Sequence, residues 1–264
     1  MKRIFCLSLA VLLSGMILFT SCVKKDPGKL ICGVTEYEPM NYRERGEWTG
    51  FDTEFALLVG EKLGLKVEFQ LIEWSQKFAE LNSGSIDAIW NGFTANTDEN
   101  GVPRINLCDM SYSYMLNAQC VVIKKDRLGE FTSEASLAGK TLAAEAGSAG
   151  EETAKELAGN NGTIIGTPAQ INTFMEVKSG AVDGAVIDVI LAKQIAGAGD
   201  YSDLTIANIN LPSEVYAIGF KKGNSLRNRV NQAMLALYRE GKLKEIAAKY
   251  GIENRLFIDE NFGK

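Results

Sequence analysis

Apolar and amphipathic segments alternate along the first third of the chain. Leu30–Val34, Leu65–Leu71 and Ile86–Trp90 are short apolar runs, the pattern of buried strands. One predicted helix between them ends near Leu63, and a second ends before Ser83. The order strand, helix, strand, helix, strand predicts an α/β fold with a parallel sheet.

The first of these helices has recognisable ends. Asp52 or Thr53 is expected to cap its start, and Glu54 favours the first turn. Gly64 follows the last apolar position and is expected to stop the helix.

The second half of the chain has the same alternation. Its predicted strands and helices come in the order of the first half, followed by a C-terminal strand and two helices. The strands are Ala118–Ile123, Thr141–Ala144, Thr163–Ile165, Val182–Ile187 and Val215–Phe220; the helices are Glu151–Leu157, Ala169–Lys178, Leu226–Arg239 and Leu243–Tyr250.

One segment occurs twice. Phe78–Ala88 and Phe174–Gly184 share Phe, Glu, Ser, Gly and Asp at the same positions, with a constant shift of 96 residues. In this register Gly92 after the first copy corresponds to Asp188 after the second. The repeat predicts two related α/β lobes, each presenting one strand end to a cleft between them. An ordinary loop after each core strand is the alternative.

The N-terminus has the pattern of a targeting segment. Residues 1–21 begin with two cations and continue as the apolar run Ile4–Phe19, which is short for a transmembrane span. Two small residues then precede Cys22, an arrangement similar to the bacterial lipobox, although Phe19 stands where leucine is usual. We expect Cys22 to carry a lipid and residues 22–29 to form a tether; secretion with a free cysteine is the alternative.

Composition excludes several kinds of chemistry. The 264 residues include no histidine, which rules out a Ser-His-Asp triad and histidine-ligated metal, but leaves carboxylate or lysine chemistry open. A net charge of −5 without a basic stripe argues against nucleic acid as a partner. The five cysteines form no C-x-x-C pair, so we expect no metal and no cofactor, with buried thiols at Cys32, Cys108 and Cys120.

Four short motifs occur in a specific order. They are Tyr37-x-Pro-Met, Gly50-Phe-Asp-x-Glu, Ile86-Asp-Ala-Ile leading to Gly92-x-Thr, and Gly-x-Val-Asp-Gly-Ala-Val-Ile-Asp188. With the C-terminal segment Gly241–Gly251, they make nearly all of the mature chain resemble the extracytoplasmic solute-binding proteins of polar amino-acid ABC transporters.

This resemblance implies a two-lobed periplasmic-binding-protein fold, in which each lobe is a mostly parallel sheet flanked by helices. Two hinge crossings are expected near Asn117–Gln119 and Pro212–Glu214. The first lobe would then contain residues 30–117 and 214–264, and the second lobe residues 118–213.

A free amino acid in a dry cleft needs an acid for its ammonium group and donors for its carboxylate. Asp188 matches the family's ammonium-binding carboxylate, with a helix cap as the alternative role. The hydroxyl of Thr94, an exposed amide of Gly92 and the helix start at Ser148 are the expected carboxylate donors, beside Asn91. For Ser148, helix capping alone is the alternative.

Three further residues are expected at the ligand. Tyr37 matches the aromatic residue that stacks on the ligand in relatives, and Trp74 falls where relatives have an apolar pocket wall. Core packing is the alternative for both. Glu36 would meet a cationic or amide side chain of the ligand, or point to solvent; the sequence leaves both open.

The sequence departs from the family at the carboxylate clamp. Relatives usually have an arginine about five residues after the position of Thr94, where this chain has Glu99. The Asn100-Gly101 turn signal suggests that residues 100–103 loop out and return Arg104 to the clamp position. A surface position for Arg104 is the alternative, and Glu99 is expected to have little role.

The expected function is capture of a free polar amino acid by a monomeric, membrane-anchored lipoprotein, and its delivery to an inner-membrane ABC permease, without catalysis. An enzyme on the same fold, such as a prephenate or arogenate dehydratase, is the main alternative. A surface lipoprotein that acts as an interaction module is the third. The sequence does not identify the amino acid.

Overall fold

The structure is a computed structural model that describes residue 26 and residues 28–263. The predicted targeting segment and Cys22 therefore lie outside the described residues. The strands are β1 (Lys29–Val34), β2 (Tyr42–Glu44), β3 (Glu47–Thr49), β4 (Lys66–Leu71), β5 (Ala88–Ile89), β6 (Asp98–Glu99), β7 (Val102–Pro103), β8 (Asp109–Met110), β9 (Ser113–Lys124), β10 (Thr141–Glu145), β11 (Thr163–Thr167), β12 (Gly184–Asp188), β13 (Leu204–Ile206), β14 (Ser213–Tyr216), β15 (Gly219–Phe220) and β16 (Leu256–Asp259).

The helices agree with the predicted pattern of alternation. They are α1 (Phe51–Leu63), α2 (Lys77–Ser83), α3 (Ala149–Ala158), α4 (Gln170–Ser179), α5 (Val189–Ile195), α6 (Leu226–Arg239) and α7 (Lys242–Lys249). Among the described residues, no helix is both long and apolar enough to cross a membrane.

Two sheets form the two lobes of an α/β fold. The first has the strand order β4-β1-β5-β15-β8, and β1 is parallel to both β4 and β5. The second has the order β11-β10-β12-β9-β13, and β10 is parallel to both β11 and β12. The predicted parallel arrangement is confirmed for β4, β1 and β5 in the first sheet, and for β11, β10 and β12 in the second. The other strands in these two orders pair antiparallel with their neighbours.

The repeated aspartates, Asp87 and Asp183, accept equivalent hydrogen bonds in the two lobes. Asp87 Oδ2 accepts a 2.9 Å hydrogen bond from the amide of Ile31 in β1. Asp183 Oδ2 accepts a 2.9 Å bond from the amide of Thr141 in β10. Asp87 thus links the turn before β5 to β1, and Asp183 links the turn before β12 to β10. Both bonds help to fix the register of a parallel strand pair.

β9 is the long connecting element between the sheets. Its first half pairs with β14 and β16, and its second half with β12 and β13. The strand begins at Ser113, five residues before the predicted start, and both Ser113 and Tyr114 are fully buried. The predicted strand Val215–Phe220 is instead divided into β14 and β15, one on β9 and one in the first sheet.

The start of α1 differs from the prediction. Its N-cap residue is Gly50, and no side chain caps the helix. Asp52 is fully buried, and its Oδ2 accepts bonds from the amide of Gly92 at 2.6 Å and the hydroxyl of Tyr114 at 2.9 Å. The carboxylate therefore connects three separate elements. Gly64 ends α1 in a left-handed conformation, as predicted.

α1 packs through its aromatic face on the first sheet. The ring centroids of Phe55 and Trp90 are 5.1 Å apart in an edge-on arrangement, and Phe51 stacks near Tyr114. Burying each large apolar side chain contributes about 2 kcal/mol. Cys32, Cys108 and Cys120 are free cysteines, and their predicted burial is confirmed.

Candidate functional site

Strand ends from both sheets meet around one small cavity. Its volume is about 10 Å³, enough for roughly one water molecule. Seven of the nine candidate ligand-binding residues line it. The lining residues are Trp74, Asn91, Gly92, Thr94, Arg104, Glu145, Ser148, Ala149, Gln170 and Asp188. The repeat thus brings Gly92 and Asp188 to one place, as its register predicted.

Asp188 is the last residue of β12 and is 5% exposed. It precedes α5, but its side chain makes no capping hydrogen bond, which removes the alternative role of helix cap. Its carboxylate instead accepts hydrogen bonds from the side-chain amides of Asn117, Gln119 and Gln170. Burial raises the pKa of Asp188, and these donors oppose the rise.

A second acid, Glu214, shares two of these amides. Its Oε2 accepts from Asn117 at 3.0 Å, Gln119 at 2.9 Å and the hydroxyl of Thr94 at 3.2 Å. Burial and the nearby charge of Asp188 raise the pKa of Glu214. Thr94 therefore lies at the cavity as expected, with its hydroxyl proton directed at a carboxylate that the sequence analysis missed.

The loop before Arg104 forms the predicted excursion. β6 and β7 pair as a hairpin, and Asn100 and Gly101 at its tip have positive φ angles of 50° and 77°. Arg104 returns to the cleft and is 1% exposed, which excludes the surface alternative. Its Nη1 donates to the Thr94 carbonyl at 2.9 Å, and its Nη2 to the Gly147 carbonyl at 3.0 Å.

Glu99 has a structural role that the sequence analysis did not expect. Its Oε2 lies 2.9 Å from Arg104 Nη2, and its Oε1 lies 2.6 Å from Lys77 Nζ. Lys77 also donates to the Gly147 carbonyl at 2.8 Å. Burial and the charge of Arg104 lower the pKa of Lys77 to about 8. The hairpin thus folds Glu99 back onto both cations, while its expected small effect on ligand binding stays a prediction.

Ser148 is the N-cap residue of α3. Its Oγ accepts a 3.0 Å bond from the amide of Glu151, so its capping role is present, and the same residue lines the cavity. α3 therefore begins at the cavity. The backbone amides at the start of a helix favour a negatively charged group nearby.

The sequence predicts that the Gly92 amide is a donor to the ligand carboxylate, but in the structure this amide already has an acceptor. It donates to Asp52 at 2.6 Å, in the interior of the first lobe. A Cβ at Gly92 would lie 2.6 Å from the ring of Tyr37, and φ is +56°, so glycine is required. Tyr37 is thus packed behind the strand end, where its hydroxyl shares a 2.6 Å bond with that of Tyr216.

The remaining candidates lie at two different cavities. Asn91 and Trp74 are at the central cavity, and Glu36 is at another. Asn91 lines the cavity, and its amide donates to Thr35 Oγ1 at 2.6 Å while its Oδ1 accepts from Asn41 at 2.9 Å. Trp74 packs edge-on against Phe93 and forms a cavity wall. Glu36 lies at a separate outer cavity of about 400 Å³, where it faces Arg43 at 3.5 Å.

Glu145, the last residue of β10, lines the central cavity and is 3% exposed. Sequence reasoning passed over it because a carboxylate at the end of an apolar strand has no distinctive spacing. Its burial raises its pKa to about 8. Among the described residues, no group of histidine, cysteine and carboxylate side chains could hold a metal ion.

The family model of the bacterial extracellular solute-binding proteins, family 3, matches residues 30–253. This match covers most of the chain and both lobes. The chain therefore belongs to that family of extracellular solute-binding proteins.

Individual relatives align along most of their length. The chain is 28% identical over 253 residues to the arginine-binding extracellular protein ArtP of Bacillus subtilis (strain 168), covering 92% of this chain and 96% of that protein. It is 32% identical over 236 residues to the probable amino-acid-binding protein YxeM of the same organism, covering 87% and 86%.

A similar solved structure is an ABC uptake transporter substrate binding protein from Streptococcus pneumoniae with bound histidine. The identity is 32% and the TM-score is 0.75, covering 85% of this chain and 92% of that chain. The similarity therefore extends over both lobes of the fold.

Proposed function

We propose that this chain captures a free polar amino acid between its two lobes and delivers it to an ABC permease for uptake. One observation carries the proposal: a buried guanidinium, Arg104, and a buried carboxylate, Asp188, line the same interlobe cavity. A zwitterion presents the complementary pair of charges, and relatives of this chain are named as amino-acid-binding proteins.

Asp188 would bind the α-ammonium group. Neutral amides hold its carboxylate, and it forms no ion pair among the described residues, so an incoming cation is the charge partner it lacks. The ammonium would replace part of the amide set, while Gln119 and Asn117 continue to orient the carboxylate. Pairing a buried charge in this way repays part of its desolvation cost.

Arg104 would bind the α-carboxylate together with Thr94 and the start of α3 at Ser148. The guanidinium is planar and offers several donors in one plane, which matches a carboxylate. Glu99 contacts both Nε at 3.0 Å and Nη2 at 2.9 Å, so the donors that remain for the ligand are those now directed at the Thr94 and Gly147 carbonyls. The ligand carboxylate would exchange with those two carbonyl contacts.

Binding requires the lobes to open. Arg104 and Lys77 of the first lobe both donate to the Gly147 carbonyl of the second, and the cavity between them is about 10 Å³. An amino acid enters only if these contacts separate. We place the hinge within β9 and β14, with lobes of residues 30–117 plus 214–264 and residues 118–213. Reclosure is driven by a ligand that contacts both lobes.

The proposal includes the site of action. The chain would work as a monomer outside the cytoplasmic membrane, held there by a lipid on Cys22 and presenting loaded lobes to the permease. Residues 22–29 are long enough to act as a short tether.

A dehydratase acting in the same cleft is the second candidate. Burial raises the pKa of Glu145 to about 8 and that of Glu214 above its usual range, and buried acids of this kind can serve as proton donors. Release of phenylpyruvate from prephenate would favour this candidate.

A thermal-shift screen of the twenty amino acids tests the function, because a ligand that binds only the folded state raises the unfolding temperature. We expect a shift of several degrees with a few polar amino acids, and recovery of the bound compound unchanged. No shift with any of the twenty, or conversion of prephenate, would overturn the proposal.

A further inference from the structure

Glu145 is a buried acid at the central cavity, and one of its oxygens has no hydrogen-bond donor among the described residues. It lies at the end of β10, and its side chain lines the central cavity. Its Oε1 has no hydrogen-bond donor, and its carboxylate forms no ion pair, among residues 28–263. A buried polar atom without a hydrogen bond is destabilising, and native proteins rarely retain one.

The other acids around the cavity are all occupied. Asp188 and Glu214 accept bonds from shared side-chain amides. Glu99 contacts both cations of the site, Lys77 at 2.6 Å and Arg104 at 2.9 Å. Glu145 alone among these four carboxyl groups lacks a donor to one buried oxygen in the described residues.

The two cations of the site are already paired. Lys77 and Arg104 both contact Glu99, and both donate to the Gly147 carbonyl. The α-ammonium of a zwitterionic amino acid would pair with Asp188. A second cationic group on the ligand would supply the donor that Glu145 Oε1 lacks among the described residues.

We propose that Glu145 binds a positively charged group on the side chain of the ligand, so that the chain selects amino acids with cationic side chains. This inference rests on the proposed function, since it assigns the side-chain end of the same ligand. Glu145 would then determine specificity, whereas Arg104 and Asp188 hold the groups common to all amino acids.

The surroundings of the cavity favour a cation. The separate outer cavity of about 400 Å³ is lined by Glu36, Glu73 and Glu80, and Glu36 is paired with Arg43. The charge of Glu73 raises the pKa of Glu145. An excess of acids over cations near the site favours a positively charged ligand.

Binding of such a ligand has a proton signature. Burial raises the pKa of Glu145 to about 8; the charges of Asp188 and Glu73 also raise it, while Lys77 and Arg104 lower it. At pH 7 the carboxyl group is therefore mostly protonated before binding. A cationic side chain binds the ionised form, so the proton leaves to the buffer.

Calorimetric titration with matched ligand pairs tests the inference. L-Arginine is compared with its neutral isostere L-citrulline, and L-lysine with L-norleucine. At least one cationic ligand should bind about ten- to a hundredfold more tightly than its neutral counterpart, the range expected for a charged hydrogen bond. In Glu145→Gln this preference should fall below about threefold through weaker binding of the cationic ligand.

The control is Glu152→Gln, which removes the same charge from the same lobe at a partly exposed residue paired with Lys155. It should keep the preference of the wild type. The wild type alone provides a second readout: at pH 7, titrations in phosphate and in Tris should show about one more proton released with the cationic ligand than with its isostere. This readout applies even if Glu145→Gln fails to fold.

Equal or tighter binding of both neutral isosteres by the wild type, or an unchanged preference in a folded Glu145→Gln, would overturn the inference. Tight binding of a neutral amino acid would do so while leaving the proposed function intact. Failure of every amino acid to bind would reject both.

Discussion

Neutral groups orient the buried carboxylate of Asp188. Side-chain amides from β9 and α4 orient its carboxylate without supplying charge. The acid is buried and lines the cavity, and under the proposed function an ammonium group would supply the cation that it lacks among the described residues.

Asp188→Ala should nearly abolish amino-acid binding while the protein stays folded. Removing one partner of a buried charge pair typically costs about 3–5 kcal/mol, which corresponds to at least a hundredfold loss of affinity. Calorimetry measures the loss, and circular dichroism checks the fold. A loss below fivefold would show that the ammonium group binds elsewhere.

Arg104→Lys should weaken binding clearly, and Arg104→Ala more, because an ammonium cannot present two coplanar donors to a carboxylate. Affinities from calorimetry test this order. Wild-type affinity in Arg104→Ala would remove Arg104 from the carboxylate site.

Glu99→Ala tests whether Glu99 stabilises the fold through its ion pairs with Lys77 and Arg104. It leaves Lys77 and Arg104 buried without their shared carboxylate, so the free energy of unfolding should fall by about 3 kcal/mol. Urea unfolding measures this change, and Glu130→Ala, at an exposed ion pair, is the control. Equal midpoints for Glu99→Ala and the control would contradict the described pairing.

Sequence reasoning at the residue scale found side chains that follow strand ends or match family motifs, such as Thr94, Ser148 and Asp188. It missed Glu145, Gln119 and the pairing of Glu99. Those side chains meet only through tertiary packing of β9, β10 and the hairpin, and their local sequence carries no spacing that marks them.

The elements were largely predictable because apolar periodicity and glycine stops reflect local physics. The hairpin Asp98–Pro103 is an example, since Asn100-Gly101 suits the positive φ angles found there. Strand ends were less predictable. The predicted strand Ile86–Trp90 is assigned only over Ala88–Ile89, although the Trp90 amide still bonds to the Gly33 carbonyl at 3.1 Å.

Asp52, which joins α1 to the first sheet, predicts a pH dependence of stability. Burial raises its pKa from 3.8 to about 7. Between these values the folded chain keeps a proton that the unfolded chain has lost, so the free energy of unfolding falls as pH rises. The contribution is complete below about pH 4 and lost above about pH 7.

Asp52→Asn cannot ionise, so its stability relative to the wild type should increase by about 3 kcal/mol between pH 4.5 and pH 7.5. Urea unfolding of both proteins measures the difference. Other buried acids titrate in both and cancel. Parallel stability curves would show that Asp52 does not titrate in this range.

At the scale of the whole molecule, the internal repeat and the two sheets put complementary charges on opposite sides of one cleft. The sequence indicated the two-lobed architecture through the repeat and the ordered motifs. It did not indicate the direct interlobe contacts of Lys77 and Arg104 with Gly147, which depend on how the lobes meet.

Membrane attachment is a prediction about residues outside the described part of the chain. Cys22→Ser should leave the precursor without lipid, whereas the wild type should incorporate labelled palmitate. Acyl chains anchor a protein through about 0.8 kcal/mol per buried methylene, so the variant should also leave the membrane fraction. Continued palmitate labelling of Cys22→Ser would reject the assignment.

The central claim is that one free amino acid binds between the lobes through both of its charged ends. Calorimetric titration with the best amino acid of the thermal screen, its N-acetyl derivative and its carboxamide tests both ends at once. We predict binding of one amino acid per chain, and affinities at least about a hundredfold lower for each blocked derivative, as expected when a buried charge loses its partner. Equal affinity for the free amino acid and either derivative would contradict the account.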